Sequence, residues 1–137
     1  MLGVGVLQGS PLLPILFLLY IATLYKALAK SPGLLIVGFV DNINLIVFSG
    51  DAQANCRRLE NAWRICERWA KSRGIEFAPQ KSKLIHFIHA YKLLGNKVQL
   101  SSAAVAPKES ARFLGVWLDW KLRWRNYLKK IKAKIEI

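Results

Sequence analysis

The stretch LLIVGFVDNINLIVFS, residues 34–49, decides how this chain folds. LLIVGFV (34–40) and INLIVFS (43–49) are two β-rich runs separated by the turn formers Asp41 and Asn42, the pattern of a tight hairpin. Both runs are apolar on both faces, as in a sheet covered on each side. Asp41 is the only acid in the first fifty residues. A lone carboxylate at the tip of an apolar hairpin can be a catalytic acid, half of a carboxylate pair, or a turn residue.

The flanking sequence supplies helices. In SPLLPILFLLYIATLYKALAKSPG (10–33), Ser10 followed by Pro11 reads as a helix start: a side-chain cap, then a proline at the first helical position. Pro14 still lies in the first turn, where its missing N–H costs little. The helix is apolar nearly all round and is expected to be buried, and Ser31-Pro32-Gly33 ends it. Over 51–73, Ala52, Cys56, Leu59, Trp63, Cys66 and Ala70 recur at helical spacing, with Arg57, Arg58, Arg64, Arg68 and Lys71 off that stripe. Ser49 or Asp51 can cap this helix and Gly74 can end it.

Further on, IEFAP (75–79) and KLIHFIH (83–89) read as short strands. KVQL (97–100) and AAVAP (103–107) form a small β segment, and RFLGVWLD (112–119) reads as another strand. From about Trp120, Trp124, Leu128, Ile131 and Ile135 recur at helical spacing among basic residues, an amphipathic basic helix. The fold class is α+β: an antiparallel sheet with helices on one face.

Charge narrows the function. The 137 residues carry 21 Lys+Arg against 8 Asp+Glu, a net charge of +13, which points to a polyanionic partner and above all to nucleic acid. None of that charge lies in 1–25, whereas 121–137 is densely basic. Cys56 and Cys66 form no CxxC, so no zinc site is expected, and their shared helical face suits reduced core thiols. His86 and His89 read as strand residues rather than metal ligands. Length argues against a membrane reading. The unbroken apolar run, Leu12 to Tyr25, would span only about 21 Å as a helix, short of the ~30 Å hydrocarbon core, and Asp41 would sit in the membrane without a partner.

Four segments in order resemble a known family. LQGSPLLPILFLLYI (7–21) is similar to the PQGSPLSPxLFxLY segment of reverse transcriptases, and GFVDNINLIVFSG (38–50) to the (Y/F)xDD hairpin that follows it. GIEFAPQKSKLIHF (74–87) and RFLGVWLD (112–119) resemble the two later palm elements. The wording of these last two is most similar to non-LTR, LINE-type retrotransposon enzymes, notably fungal ones. The resemblance implies a partial palm over residues 1–107, then a primer-grip strand and the start of a basic thumb helix over 108–137.

It also implies roles. Asp41 aligns with the first acid of the box and would be a catalytic Mg²⁺ ligand, with Asn42 beside it; Phe39 is the aromatic that opens the box. Gln8, Gly9 and Ser10 match the loop beside the template and the nascent base pair. Lys81 matches a lysine proposed to protonate the pyrophosphate leaving group. Phe113, Leu114 and Gly115 match the primer grip. Lys121, Arg123, Arg125, Lys129 and Lys130 would contact the nucleic-acid backbone without reading sequence. The implied partners are an RNA template, a DNA primer and dNTP, in an intracellular protein, nuclear or cytoplasmic and not secreted.

Two departures bear on activity. The box reads FVDN, so Asn42 replaces the second aspartate and removes one negative charge from a centre of three. That is expected to cost several kcal/mol, on the order of the effects seen at such sites. In the family the first catalytic aspartate and the fingers precede the QGSP segment, and no residue before Leu7 can fill those roles. The chain is therefore expected to be a truncated copy, inactive alone, in which Asn42→Asp does not restore synthesis and an exposed hairpin edge invites pairing with another chain. The alternatives are a non-catalytic nucleic-acid-binding remnant and a small membrane protein.

Overall fold

The computed structural model describes residues 11–39 and 42–135. Gln8, Gly9, Ser10 and Asp41, all expected site residues, lie outside the described residues. The described chain is α+β, with three α-helices and three two-stranded antiparallel sheets. The strands thus pair as three separate hairpins rather than in one sheet. The chain divides into two compact units, Met1–Phe48 with Asn61–Phe77, and Ser49–Glu60 with Ala78–Ile137.

In the first unit, helix α1 spans Leu13–Leu28 and follows Leu12, which makes no side-chain cap. The helix therefore starts later than the Ser10-Pro11 signal implies; Pro14 falls in its first turn, where proline is tolerated. The expected all-round burial is not observed. Ile21, Leu24 and Leu28 are buried, whereas Leu12, Ile15, Leu16, Leu18 and Leu19 are exposed, Leu19 by 68%. Only one stripe of α1 meets a packing partner among the described residues. That stripe joins Ala62, Cys66, Trp69 and Ala70 in a single core cluster. Burying each of these leucines contributes about 1.5–3 kcal/mol.

Strands β1 (Leu34–Phe39) and β2 (Asn42–Val47) form the expected hairpin in the register Leu34↔Val47 through Phe39↔Asn42. Asn42 is thus a strand residue paired with Phe39, not a turn residue. Ile36, Ile43 and Leu45 pack on the core, while Leu35, Phe39 and Ile46 stay exposed. One face of this hairpin is covered, not two.

Helix α2 spans Ala52–Lys71. Asp51 Oδ1 accepts the Gln53 N–H at 2.9 Å and caps its start. Gly74, at φ +67°, ends it: Ile75 N–H donates to Ala70 O at 3.1 Å and Gly74 N–H to Lys71 O at 3.3 Å, the paired closure that satisfies terminal carbonyls. The predicted stripe is correct, with Cys56, Trp63, Cys66 and Ala70 buried. Burial pushes the Cys66 thiol up to about 11, and the Cys56 thiol is also raised, by burial first and then by Glu60.

Residues 75–79 and 83–89, expected as strands, are not. Pro79–Lys81 form a 3₁₀ turn, and Leu84 makes one isolated bridge to Pro107. Ladder pairing needs a neighbour, and no strand among the described residues lies alongside the rest of these segments. The second unit instead holds hairpins β3 (Val98–Leu100) with β4 (Ala103–Val105), and β5 (Ser110–Phe113) with β6 (Val116–Asp119). RFLGVWLD is therefore a hairpin, not one strand. Helix α3 spans Arg125–Ile135, five residues later than the periodicity implies.

Gly38 is where sequence and packing are most tightly tied. A Cβ there would come within 2.6 Å of Tyr25 Cζ and overlap the hydroxyl. Burial raises the Tyr25 pKa, in keeping with a phenol held against the hairpin. Gly38→Ala is expected to lower unfolding stability by about 1–3 kcal/mol. In a Tyr25→Ala background the same change should cost less than about 0.5 kcal/mol, a coupling that urea titration of the four proteins measures. Folded protein at neutral pH should also leave Cys66 unalkylated by iodoacetamide, because a thiol with a pKa near 11 is almost wholly protonated; mass spectrometry reads this directly.

Candidate functional site

Two surfaces carry the expected site residues, one in each compact unit. In the first unit, the hairpin presents Phe39 and Asn42 at the ends of paired strands, both exposed. Asn44, on β2, donates from Nδ2 to Val37 O at 3.1 Å and ties the two strands together near the tip. The hairpin's rigidity comes from its core face, where Ile36, Ile43 and Leu45 pack against the α1–α2 cluster.

Of the two box residues expected to hold Mg²⁺, only Asn42 is among the described residues. Its side chain is a neutral amide, with a carbonyl oxygen and an N–H₂ donor and no carboxylate charge. Among the described residues no three His, Cys, Asp or Glu side chains come together to hold a metal.

The second unit carries the basic surface, and one acid organises it. Asp119, at the end of β6, is buried. Its Oδ1 accepts the backbone N–H groups of Lys121 and Arg123, each at 3.0 Å, and Oδ2 lies 3.1 Å from the Arg123 nitrogen. The Leu122 N–H donates to Asp119 O at 2.9 Å. This turn carries Leu122 and Trp124 in the left-handed region, at φ 53° and 62°. That conformation costs a non-glycine residue roughly 1–2 kcal/mol, which the carboxylate's bonds offset. Trp124 O then accepts the Leu128 N–H at 2.9 Å and starts α3. The basic helix begins at Arg125 rather than Trp120 because Asp119 holds the intervening residues in a turn.

The remaining expected residues fall as follows. Phe113, Leu114 and Gly115 form the end of β5 and a two-residue turn, with Leu114 at φ 48° and Gly115 at φ 84°. Two consecutive positive φ angles suit the twist of a tight hairpin. Gly115 is needed for that angle and not for space, since an added Cβ would meet nothing within 4 Å. Lys81 is exposed at the last position of the 3₁₀ turn. Arg123, Arg125, Lys129 and Lys130 are exposed and Lys121 is half-buried. The Lys130 ammonium lies 3.3 Å from the centroid of the Trp117 ring and that of Lys121 lies 4.6 Å from Trp120, contacts worth about 0.5–1 kcal/mol each at exposed sites. Trp124 meets Tyr127 edge to face, with centroids 6.3 Å apart, and stays 46% exposed. No residue of α3 is buried, so the helix offers its charges from an open surface.

His86 is buried and donates from Nε2 to Asn96 O at 2.8 Å, a structural role. Sequence reasoning misses Asp119 and the exposed segment His89–Tyr91, which borders an open cavity of about 450 Å³ with Lys121 and Arg123. Asp119 carries a readable signal, an acid between the end of a strand and a basic helix. Asp119→Ala would leave two N–H groups without their acceptor and should destabilise the protein by about 1–3 kcal/mol. Asp119→Asn should recover part of the loss, as a denaturation midpoint would record.

No curated protein and no solved structure matches the chain. Residues 3–118 match the family model for reverse transcriptase (RNA-dependent DNA polymerase). That span takes in the hairpin, the α1–α2 core and the β5–β6 turn, and the chain belongs to the reverse transcriptase family.

Proposed function

We propose that this chain is a non-LTR, LINE-type reverse transcriptase segment that holds primer–template nucleic acid but has lost efficient nucleotidyl transfer. The subtype rests on the wording of FAPQKS (77–82) and FLGVWLD (113–119), similar to fungal retrotransposon enzymes. The family generally uses Mg²⁺ and binds RNA template and DNA primer. The observation that carries the binding half is the open basic surface running from Lys121 through α3, held in shape by Asp119. Arg123, Arg125 and Lys129 would contact phosphates, which gives affinity without sequence preference. Lys121 and Lys130, resting on tryptophan rings, would do so from more fixed positions.

Asn42 carries the other half. In this reading Asp41 is the remaining carboxylate of the box, Phe39 flanks the nascent base pair with Gln8, Gly9 and Ser10, and Phe113, Leu114 and Gly115 place the primer end. Lys81 would act as the acid toward pyrophosphate. Exchanging a carboxylate for a neutral amide weakens Mg²⁺ attraction and the stabilisation of charge that develops on the transferring phosphate. A membrane role has less support: no described helix is long and apolar enough to cross a bilayer.

The test is to incubate the full chain with a labelled DNA primer annealed to RNA, with dNTPs and Mg²⁺ or Mn²⁺. The expected result is a retarded complex in a native gel and no extension on a denaturing one. Extension that disappears in Asp41→Ala would overturn the catalytic half, and absence of any complex at low salt would overturn the binding half.

A further inference from the structure

The cavity of about 450 Å³ in the second unit is lined by His89, Ala90, Tyr91, Lys121 and Arg123. Its two walls are joined by a backbone bond, Ile88 N–H donating to Trp120 O at 3.3 Å. That bond sets the 89–91 segment beside the Asp119 turn, and the turn fixes where Lys121 and Arg123 project. The Tyr91 ring is fully exposed, at 101% of its reference area. Burial therefore gives no reason for an aromatic residue at this position. His89 is exposed as well. Among the described residues no acid lines the cavity itself. The adjoining depression includes Glu109 and Asp119, but Asp119 is engaged with the backbone N–H groups of the turn.

The cavity is shallow and open to solvent, so a ligand here would rest on exposed side chains rather than be enclosed. Its chemistry is two-sided: an exposed aromatic ring on one wall, and on the other two cations that also border Glu109 and Asp119 in the adjoining depression. A planar ring takes an unpaired base by stacking, whichever base it is, and adjacent cations take the phosphate. A base inside a duplex cannot offer its face in this way. We propose that this cleft holds one nucleotide of a single-stranded nucleic acid, with the base stacked on Tyr91 and the flanking phosphate between Lys121 and Arg123. The proposal rests on the nucleic-acid-binding reading above and extends it from duplex backbone contact to a single-strand subsite.

The test compares fluorescence anisotropy of the full chain with labelled oligo-dT about 12 nucleotides long and with a blunt duplex of the same length. Tyr91→Ala should weaken oligo-dT binding by about 5- to 100-fold and leave duplex binding within about twofold. Tyr91→Phe should bind oligo-dT like the parent protein, because the ring alone is required. Arg123→Ala should lower the salt slope for oligo-dT by about 0.7. Tyr91 is fully exposed, so its substitution leaves folding intact, and circular dichroism checks this. Equal losses on both probes, or none with Tyr91→Ala, would overturn the subsite while duplex binding stands. If neither probe binds the parent protein, the subsite and the binding reading fall together.

Discussion

Asp119 ends the last strand with its carboxylate turned back over the chain that follows, and accepts the N–H groups of Lys121 and Arg123. Such bonds to a charged acceptor are stronger than neutral ones. Here they offset two left-handed residues, Leu122 and Trp124, that the chain would otherwise avoid. The turn delays α3 to Arg125, sets Lys121 against Trp120, and leaves Arg123 at the mouth of the cleft. A single buried acid therefore organises the basic turn that leads into α3. Its carboxylate is directed at the backbone N–H groups of the turn rather than at the neighbouring side-chain cations.

The first unit depends on a different constraint, the narrow stripe Ile21, Leu24 and Leu28 against Ala62, Cys66, Trp69 and Ala70. Trp69 fastens this packing with a polar end: its Nε1–H donates to Thr23 Oγ1 at 2.8 Å. The Arg73 guanidinium lies 4.7 Å from the Trp69 ring centroid and donates from its Nη2 to the same hydroxyl at 3.1 Å. The hairpin rests on this cluster with one face, and Gly38 lets Tyr25 approach its backbone. The other face keeps Leu35, Ile46 and Phe48 in solvent, Phe48 at 71% exposure. Exposed apolar residues thus lie on both the hairpin and α1.

Much of this is legible in the sequence because it is local. The α2 stripe, its Asp51 cap and its Gly74 stop depend on spacing and on single residues, and the β1–β2 hairpin follows from two β-rich runs around turn formers. The four motifs that resemble reverse transcriptases lead to the family that the match over 3–118 identifies. What is not legible depends on pairing between distant segments. Residues 83–89 have strand composition but find one bridge at Leu84 rather than a ladder. α1 is apolar all round, yet composition cannot say which of its faces finds a partner. In RFLGVWLD the Leu-Gly pair signals a turn, and the strong strand formers around it hide that signal. Periodicity starts the basic helix too early because it continues through the turn that Asp119 imposes. Tyr91 escapes notice because an isolated aromatic in a loop carries no period.

Whether the surface organised by Asp119 binds nucleic acid through phosphates is tested most directly by the salt dependence of affinity for a primer–template duplex. The full chain and a variant with Lys129, Lys132 and Lys134 changed to alanine are compared from low to moderate salt. Affinity should fall steeply with salt for the parent chain. The slope should be shallower by about 2–3 in the variant, because each deleted lysine no longer displaces a counterion from a phosphate. A parent slope near zero, or an identical slope in the two proteins, would contradict phosphate binding by this surface.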